Sequence, residues 1–136
     1  MPLLTKEQLL AKQKLNIEKV ELAKGDYVYV REMTGHERDR WENSLLRITT
    51  LANGVQRIEQ VNDDFRAKLA VNTVCDKEGN LIFAPEDYAD LSDNISGISL
   101  AKIATVAESL NKVKLEQQES VSKNLKPGRK KDSISS

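Results

Sequence analysis

Apolar residues recur along the chain at two different spacings, and these spacings predict its secondary structure. Thr5 and Gln8 form a capping-box pattern ahead of a leucine-rich segment, which predicts a first helix that ends near Asn16. Residues 17–22 and 27–30 are rich in β-branched and aromatic side chains and flank a glycine-containing turn. That pattern is typical of a β-hairpin.

Spacings of three and four residues dominate the next part of the sequence and predict two long helices. Thr34 and Glu37 form a second capping box, and the helix that they begin is predicted to continue through Ile48. We interpret Asn53–Gly54 as the end of this helix, since Asn-Gly readily adopts a left-handed conformation. A further helix is predicted over 55–74.

The remaining elements are shorter and complete the predicted fold. Residues 81–83 suit a short strand that extends the hairpin to three antiparallel strands, and 85–91 suit a small helix with proline in its first turn. Ser96 or Ser99 is expected to cap a last helix over 100–113. The predicted fold class is therefore α+β, a mostly helical small domain with a short antiparallel sheet.

From residue 116 onward the apolar pattern fails, which predicts a boundary between one domain (1–115) and a flexible basic tail (116–136). The whole chain has 21 basic and 21 acidic residues. Its last fourteen residues contain five basic residues and one acidic residue, a net charge of +4. The other 122 residues, with 16 basic and 20 acidic residues, carry −4.

Composition excludes several classes of protein. A single cysteine, Cys75, cannot form an intramolecular disulfide, and with His36 as the one histidine a structural zinc site lacks ligands. No apolar run approaches a membrane span, and neither a phosphate-binding loop nor a metalloprotease motif is present. We expect a non-enzymatic cytosolic protein without cofactor or metal, in which His36 is solvated and Cys75 is a small apolar filler.

The basic tail raises an alternative function, which is a small phage or bacterial regulatory protein that binds nucleic acid. Lysine and arginine gain affinity for phosphates by releasing counterions. The tail has no aromatic residue for base stacking, however, and the rest of the chain is acidic. The sequence therefore argues against nucleic acid as the main partner.

Four blocks of sequence carry a resemblance to a known family. Residues 28–39, VYVREMTGHERD, resemble the VYVRELTGxERD block of tail assembly chaperones from long-tailed, non-contractile bacteriophages and prophages. The resemblance continues in order through 67–71 and 75–83 and ends at 107–111, which match an AxxLN pattern. Residues 53–59 depart from the pattern, and we interpret them as a local insertion.

This resemblance implies an assembly factor in the host cytoplasm that is absent from the mature virion. Such proteins bind the tape-measure protein, keep it soluble, help recruit tail-tube subunits and commonly self-associate. They are often made in two forms through a −1 ribosomal frameshift, and this chain would be the short form. Leu125–Lys126 and Lys130–Lys131 are compatible with slippery codons, and the tail-tube contact would belong to the longer form.

A tape-measure protein exposes amphipathic helices, which bind to apolar grooves. We predict that the stripes of the 55–74 and 100–113 helices form such a groove. Residues 37–40 beside Trp41 are a second candidate surface, since Arg and Trp are frequent binding anchors. The alternative is that both stripes and Trp41 belong to the chain's own core, and that Arg38 pairs only with Glu42. The predicted partner-binding residues are Arg31, Glu37, Arg38, Trp41, Phe65, Leu69, Ile103 and Leu110.

Overall fold

The computed structural model describes residues 3–11 and 14–113. The α-helices are α1 (Lys6–Leu10), α2 (Gly35–Ser44), α3 (Phe65–Val71), α4 (Tyr88–Asn94) and α5 (Gly97–Asn111). The strands are β1 (Ile17–Glu21), β2 (Tyr27–Arg31), β3 (Leu46–Thr50), β4 (Gln56–Gln60) and β5 (Val74–Cys75). The predicted α+β class is confirmed, while the predicted tail and its boundary at 115 lie outside the described residues.

The first sheet has three antiparallel strands in the order β1-β2-β5. The predicted hairpin of β1 and β2 is confirmed. The prediction of 81–83 as the third strand is wrong, because β5 occupies that place and Leu81 makes only an isolated bridge to Cys75. A two-residue strand that directly follows a buried helix is too short for any periodicity to reveal.

The second sheet consists of β3 and β4 alone among the described residues, and it contradicts both long-helix predictions. Helix α2 ends at Ser44, and the predicted continuation through Ile48 is strand β3. Residues 56–60 are strand β4, so the predicted 55–74 helix is reduced to α3. Asn53–Gly54 lies in the turn of this hairpin, and Gly54 has φ +84°. The Asn-Gly pair is common in hairpin turns as well as at helix ends.

Most predicted helix starts are confirmed. Side chains of Thr5, Thr34 and Ser96 cap α1, α2 and α5, with capping boxes at the first two. Helix α1 ends at Leu10 instead of near Asn16. The small helix predicted over 85–91 is a 3₁₀ turn at Pro85–Asp87 followed by α4, which continues to Asn94.

The core lies between the three-stranded sheet and helices α2, α3 and α5. Leu69 of α3 and Ile103 of α5 meet there with Trp41 of α2 and Val30 of β2. All four side chains are buried. The β3–β4 hairpin projects from this body, and every residue of β3 is exposed.

Candidate partner-binding site

Arg31, which is buried, and Glu37, which is partly buried, form an ion pair where strand β2 leads into helix α2. The guanidinium Nη1 donates to Glu37 Oε1 at 2.8 Å, and Nη2 donates to Oε2 at 2.9 Å. Arg31 Nε also donates to the carbonyl oxygen of Gly79 at 2.7 Å. Gly79 has φ +90°, a conformation that favours glycine, so the turn that offers this carbonyl depends on it.

The environment of this pair keeps both groups charged. Burial alone would raise the pKa of Glu37, but hydrogen bonds from Arg31 and from the backbone of Thr34 outweigh it and lower that pKa. The hydrogen bond to Glu37 raises the pKa of Arg31. Both residues were predicted to bind a partner; their observed contacts join β2, α2 and the 76–80 turn.

Asn111, at the end of α5, was not among the predicted residues and makes a second connection. Its Oδ1 accepts from the backbone N–H of Met33 at 2.7 Å, and its Nδ2 donates to the carbonyl of Ala107 at 2.9 Å. Arg38 Nη1 donates to the Asn111 carbonyl at 2.8 Å. The AxxLN block contained the signal, because a polar residue that closes an apolar helical stripe must find hydrogen-bond partners if it is buried.

Three separated blocks of the sequence meet through these hydrogen bonds. Arg31 links residues 28–39 to Gly79 in the 75–83 block. Asn111 links the same first block to the 107–111 block. Three of the four blocks that carry the family resemblance are therefore joined by hydrogen bonds.

The eight predicted residues do not share one exposed surface. Trp41, Leu69 and Ile103 are buried in the core, and Phe65 and Leu110 pack against it half-buried. Arg38 keeps a partly exposed side chain that also pairs with Glu42, at 3.6 Å between Nε and Oε2. Arg38 and Leu110 are brought together with Asn111 around a cavity of about 480 Å³.

A different apolar groove lies between strand β1 and helix α5, with a volume of about 620 Å³. Val20, Ala101 and Val106 line it, and Ile98 is 75% exposed at one end. Lys19, Lys102 and Glu21 also border this groove. Sequence reasoning missed it because Ile98 precedes the stripe that begins at Leu100.

A comparison with solved structures finds a protein with a similar fold. The chain has the fold of the bacteriophage HK97 tail assembly chaperone. The TM-score is 0.52 with 17% sequence identity, and the match covers 77% of this chain and 90% of the other. A scan against protein-family models and a search of curated protein sequences find no match.

Other kinds of site were also sought in the part of the chain that the structure describes. There, no group of three or more His, Cys, Asp or Glu side chains could hold a metal ion. None of the described helices is long and apolar enough to cross a bilayer. His36 is exposed as predicted, and Cys75 is buried in β5, where burial raises the pKa of its thiol.

Replacing Asn111 with alanine should lower the free energy of unfolding by about 2 kcal/mol, because the Met33 N–H would be left buried without an acceptor. Urea denaturation measures this loss. Asn94 is the matched control, since its Nδ2 makes the same bond to a carbonyl one turn earlier but is exposed. Asn94→Ala should cost less than about 0.5 kcal/mol, and equal losses in the two variants would contradict a special role for Asn111.

Proposed function

We propose that this chain is a phage tail assembly chaperone that binds the tape-measure protein and keeps it soluble. The observation that carries the proposal is the fold shared with the bacteriophage HK97 tail assembly chaperone. The hydrogen bonds that join three of the four resembling blocks add support. The protein acts without catalysis, in the host cytoplasm, and leaves the tail before the virion matures.

The β1–α5 groove is the proposed docking surface for a tape-measure helix. It replaces the groove expected between two long helices, because the stripes of α3 and α5 face each other and Leu69, Ala70, Ile103 and Ala107 are buried. An amphipathic helix could lay its apolar face against Ile98, Ala101 and Val106. Lys19 and Lys102 favour acidic residues at the edges of that helix, and Glu21 favours a basic one.

The proposal includes three further parts. The chain self-associates, so that several copies act together along one long partner and gain from effective concentration. It is the short product of a −1 frameshift pair, and the longer product recruits tail-tube subunits. The proposed slippery codons, at Leu125–Lys126 or Lys130–Lys131, fall outside the described residues.

Co-expression with the tape-measure protein encoded beside this chain tests the central proposal. We expect the tape-measure protein to become soluble and to co-purify with the chain, and failure of both would overturn the proposal. A chain that ends at Leu115 should still bind it. Loss of a salt-sensitive DNA mobility shift on the same truncation would instead favour the nucleic-acid alternative.

Ile98→Glu should weaken tape-measure binding at least roughly tenfold, because a carboxylate would enter an apolar contact. Ile82→Glu is the matched control, since Ile82 is also an exposed isoleucine and does not line the groove. Titration of purified chain against a tape-measure fragment measures both affinities. Equal affinities for the two variants would move the docking surface away from this groove.

A further inference from the structure

Strand β4 has an outer edge that no other described strand covers. It pairs with β3 alone, and Ile48 lies directly opposite Ile58 across that pair. These side chains are 62% and 65% exposed. A two-stranded hairpin is marginally stable by itself in water, and a third or fourth strand on its open edge would stabilise it.

The sequence of this edge is self-complementary. Residues 55–61 are Val-Gln-Arg-Ile-Glu-Gln-Val, which has the same side chains in both directions except that Arg57 and Glu59 exchange places. Two copies arranged antiparallel about Ile58 would therefore match valine with valine, glutamine with glutamine and arginine with glutamate. Opposite charges that face each other across strands are stabilising, and like charges are destabilising.

The outer edge of β3 lacks this property. Centred on Ile48, an antiparallel pair would place Arg47 opposite Thr49, so no charge would be matched. A pair centred elsewhere on β4 would lose both Arg–Glu matches. The charge pattern therefore selects one edge and one register.

We propose that β4 pairs with β4 of a second copy of this chain, antiparallel and centred on Ile58, to form a four-stranded sheet. This inference rests on the self-association in the proposed function and assigns its interface. The contact is isologous, because each Arg57 meets Glu59 of the other copy. It closes as a dimer through this edge, and none of the residues that line the β1–α5 groove belongs to β3 or β4.

Both faces of the resulting sheet are consistent with this pairing. On one face, Ile48 and Ile58 of the two copies form a continuous row of four isoleucines across the strands. On the other face, Glu59 lies between Arg47, its partner within the hairpin, and Arg57 of the second copy. Arg57 and Glu59 already share that face, since their side chains pair at 3.2 Å between Nε and Oε1.

Charge reversal across the edge tests the proposal with the full chain. Arg57→Glu alone, or Glu59→Arg alone, would turn two attractive pairs into two repulsive pairs, and self-association should weaken roughly 10- to 100-fold. An equimolar mixture of the two variants restores opposite charges at both pairs and should associate nearly as well as the natural chain. Sedimentation velocity over a concentration series measures all three.

The controls carry the same charge changes at exposed positions in the 76–80 turn. Lys77→Glu and Glu78→Arg should associate like the natural chain. Weakening by these controls as strong as that by the β4 variants, or failure of the mixture to recover, would overturn the β4 interface. A natural chain that self-associates regardless of the β4 charges would leave the proposed self-association standing and remove only this assignment.

A cysteine substitution supplies a second test that does not depend on charge. Residues directly opposite in an antiparallel pair have Cα atoms roughly 4.5–5.5 Å apart, which suits a disulfide. Ile58→Cys should therefore form covalent dimers under copper-catalysed air oxidation, and Ile48→Cys, three strands from its counterpart, should not. The natural chain, whose Cys75 is buried, gives the baseline. Absence of Ile58→Cys dimers in associated protein would overturn the register.

The solubility of the co-expressed tape-measure protein tests chaperone activity separately from the β4 interface. A natural chain that is monomeric at every concentration would overturn self-association together with the β4 interface. If that chain still solubilises the tape-measure protein, chaperone activity stands. If it self-associates through β4 but solubilises nothing, the interface stands and chaperone activity fails.

Discussion

Replacing Glu37 with glutamine should lower the free energy of unfolding by about 3 kcal/mol near neutral pH, because the buried Arg31 guanidinium would lose its counter-charge. The side chain of Arg31 is 7% exposed and that of Glu37 is 15% exposed, so water compensates little for the loss. Glutamine keeps the shape of the side chain but offers one acceptor where the carboxylate offers two. Urea denaturation of the purified chain measures the difference.

The same substitution should have a distinctive pH dependence. The folded-state pKa of Glu37 lies below its ordinary value of 4.5, so the pair stabilises the fold fully above that value. This stabilisation is lost as the pH falls through the lowered folded-state pKa, since a protonated Glu37 resembles glutamine. The gap between the natural chain and the variant should therefore close in acid, and a gap independent of pH would contradict this account.

Glu42→Gln is the control for both measurements. Glu42 also pairs with an arginine from within α2, but both side chains are exposed and the Nε–Oε2 distance is 3.6 Å. Its loss should cost less than about 0.5 kcal/mol at any pH, because exposed ion pairs contribute little. Each substitution removes one carboxylate from α2, so a difference between their effects on stability reflects the burial of the ion pair and not the loss of charge.

The sequence predicted the elements whose signals are local. Capping boxes at Thr5 and Thr34 depend on side chains that satisfy backbone donors a few residues away, and both are present. The β1–β2 hairpin likewise depends on strand-forming residues around a tight turn. Such features are decided within about ten residues and need no tertiary contact.

The β3–β4 hairpin could not be distinguished from helices on the same evidence. Ile58 and Val61 are three residues apart, which suits a helical stripe, and Asn53–Gly54 suits a helix end as well as a hairpin turn. The β-branched residues of β3 favoured a strand, but no buried face enforced an alternating pattern because the whole strand is exposed. A strand with no face packed against the core therefore has only a weak alternating pattern in the sequence.

The sequence predicted some of the residues of the candidate site, but it did not predict which contacts they make. Arg31 and Glu37 were predicted to bind a partner, but in the structure their side chains form hydrogen bonds with each other. Nothing in the sequence revealed that the carbonyl of Gly79, 48 residues beyond Arg31, would accept a hydrogen bond from the guanidinium. The AxxLN block marked Asn111 as a polar residue at the end of an apolar stripe, but the sequence did not reveal that its partner is the distant Met33 backbone.

Replacing Leu69 with alanine should lower the free energy of unfolding by about 3–4 kcal/mol, the loss expected when a fully buried leucine leaves a cavity. Leu69 is 0% exposed and packs within the core that includes Ile103 and Trp41. Leu69 was also a predicted partner-binding residue. A core role and a binding role predict different effects of the substitution on stability and on affinity. A core role lowers stability and leaves the affinity of the folded chain for the tape-measure protein unchanged.

Leu10→Ala provides the comparison, because Leu10 is 75% exposed in α1 and its truncation leaves no cavity. It should change the free energy of unfolding by less than about 0.5 kcal/mol. Affinity is then measured at a temperature at which Leu69→Ala remains folded, as judged by its circular dichroism. A Leu69→Ala chain with undiminished stability and a large loss of affinity would contradict the core role and restore Leu69 to the binding surface. Loss of stability with unchanged affinity would leave the β1–α5 groove as the proposed docking surface, since Ile98 can contact a partner without unfolding the chain.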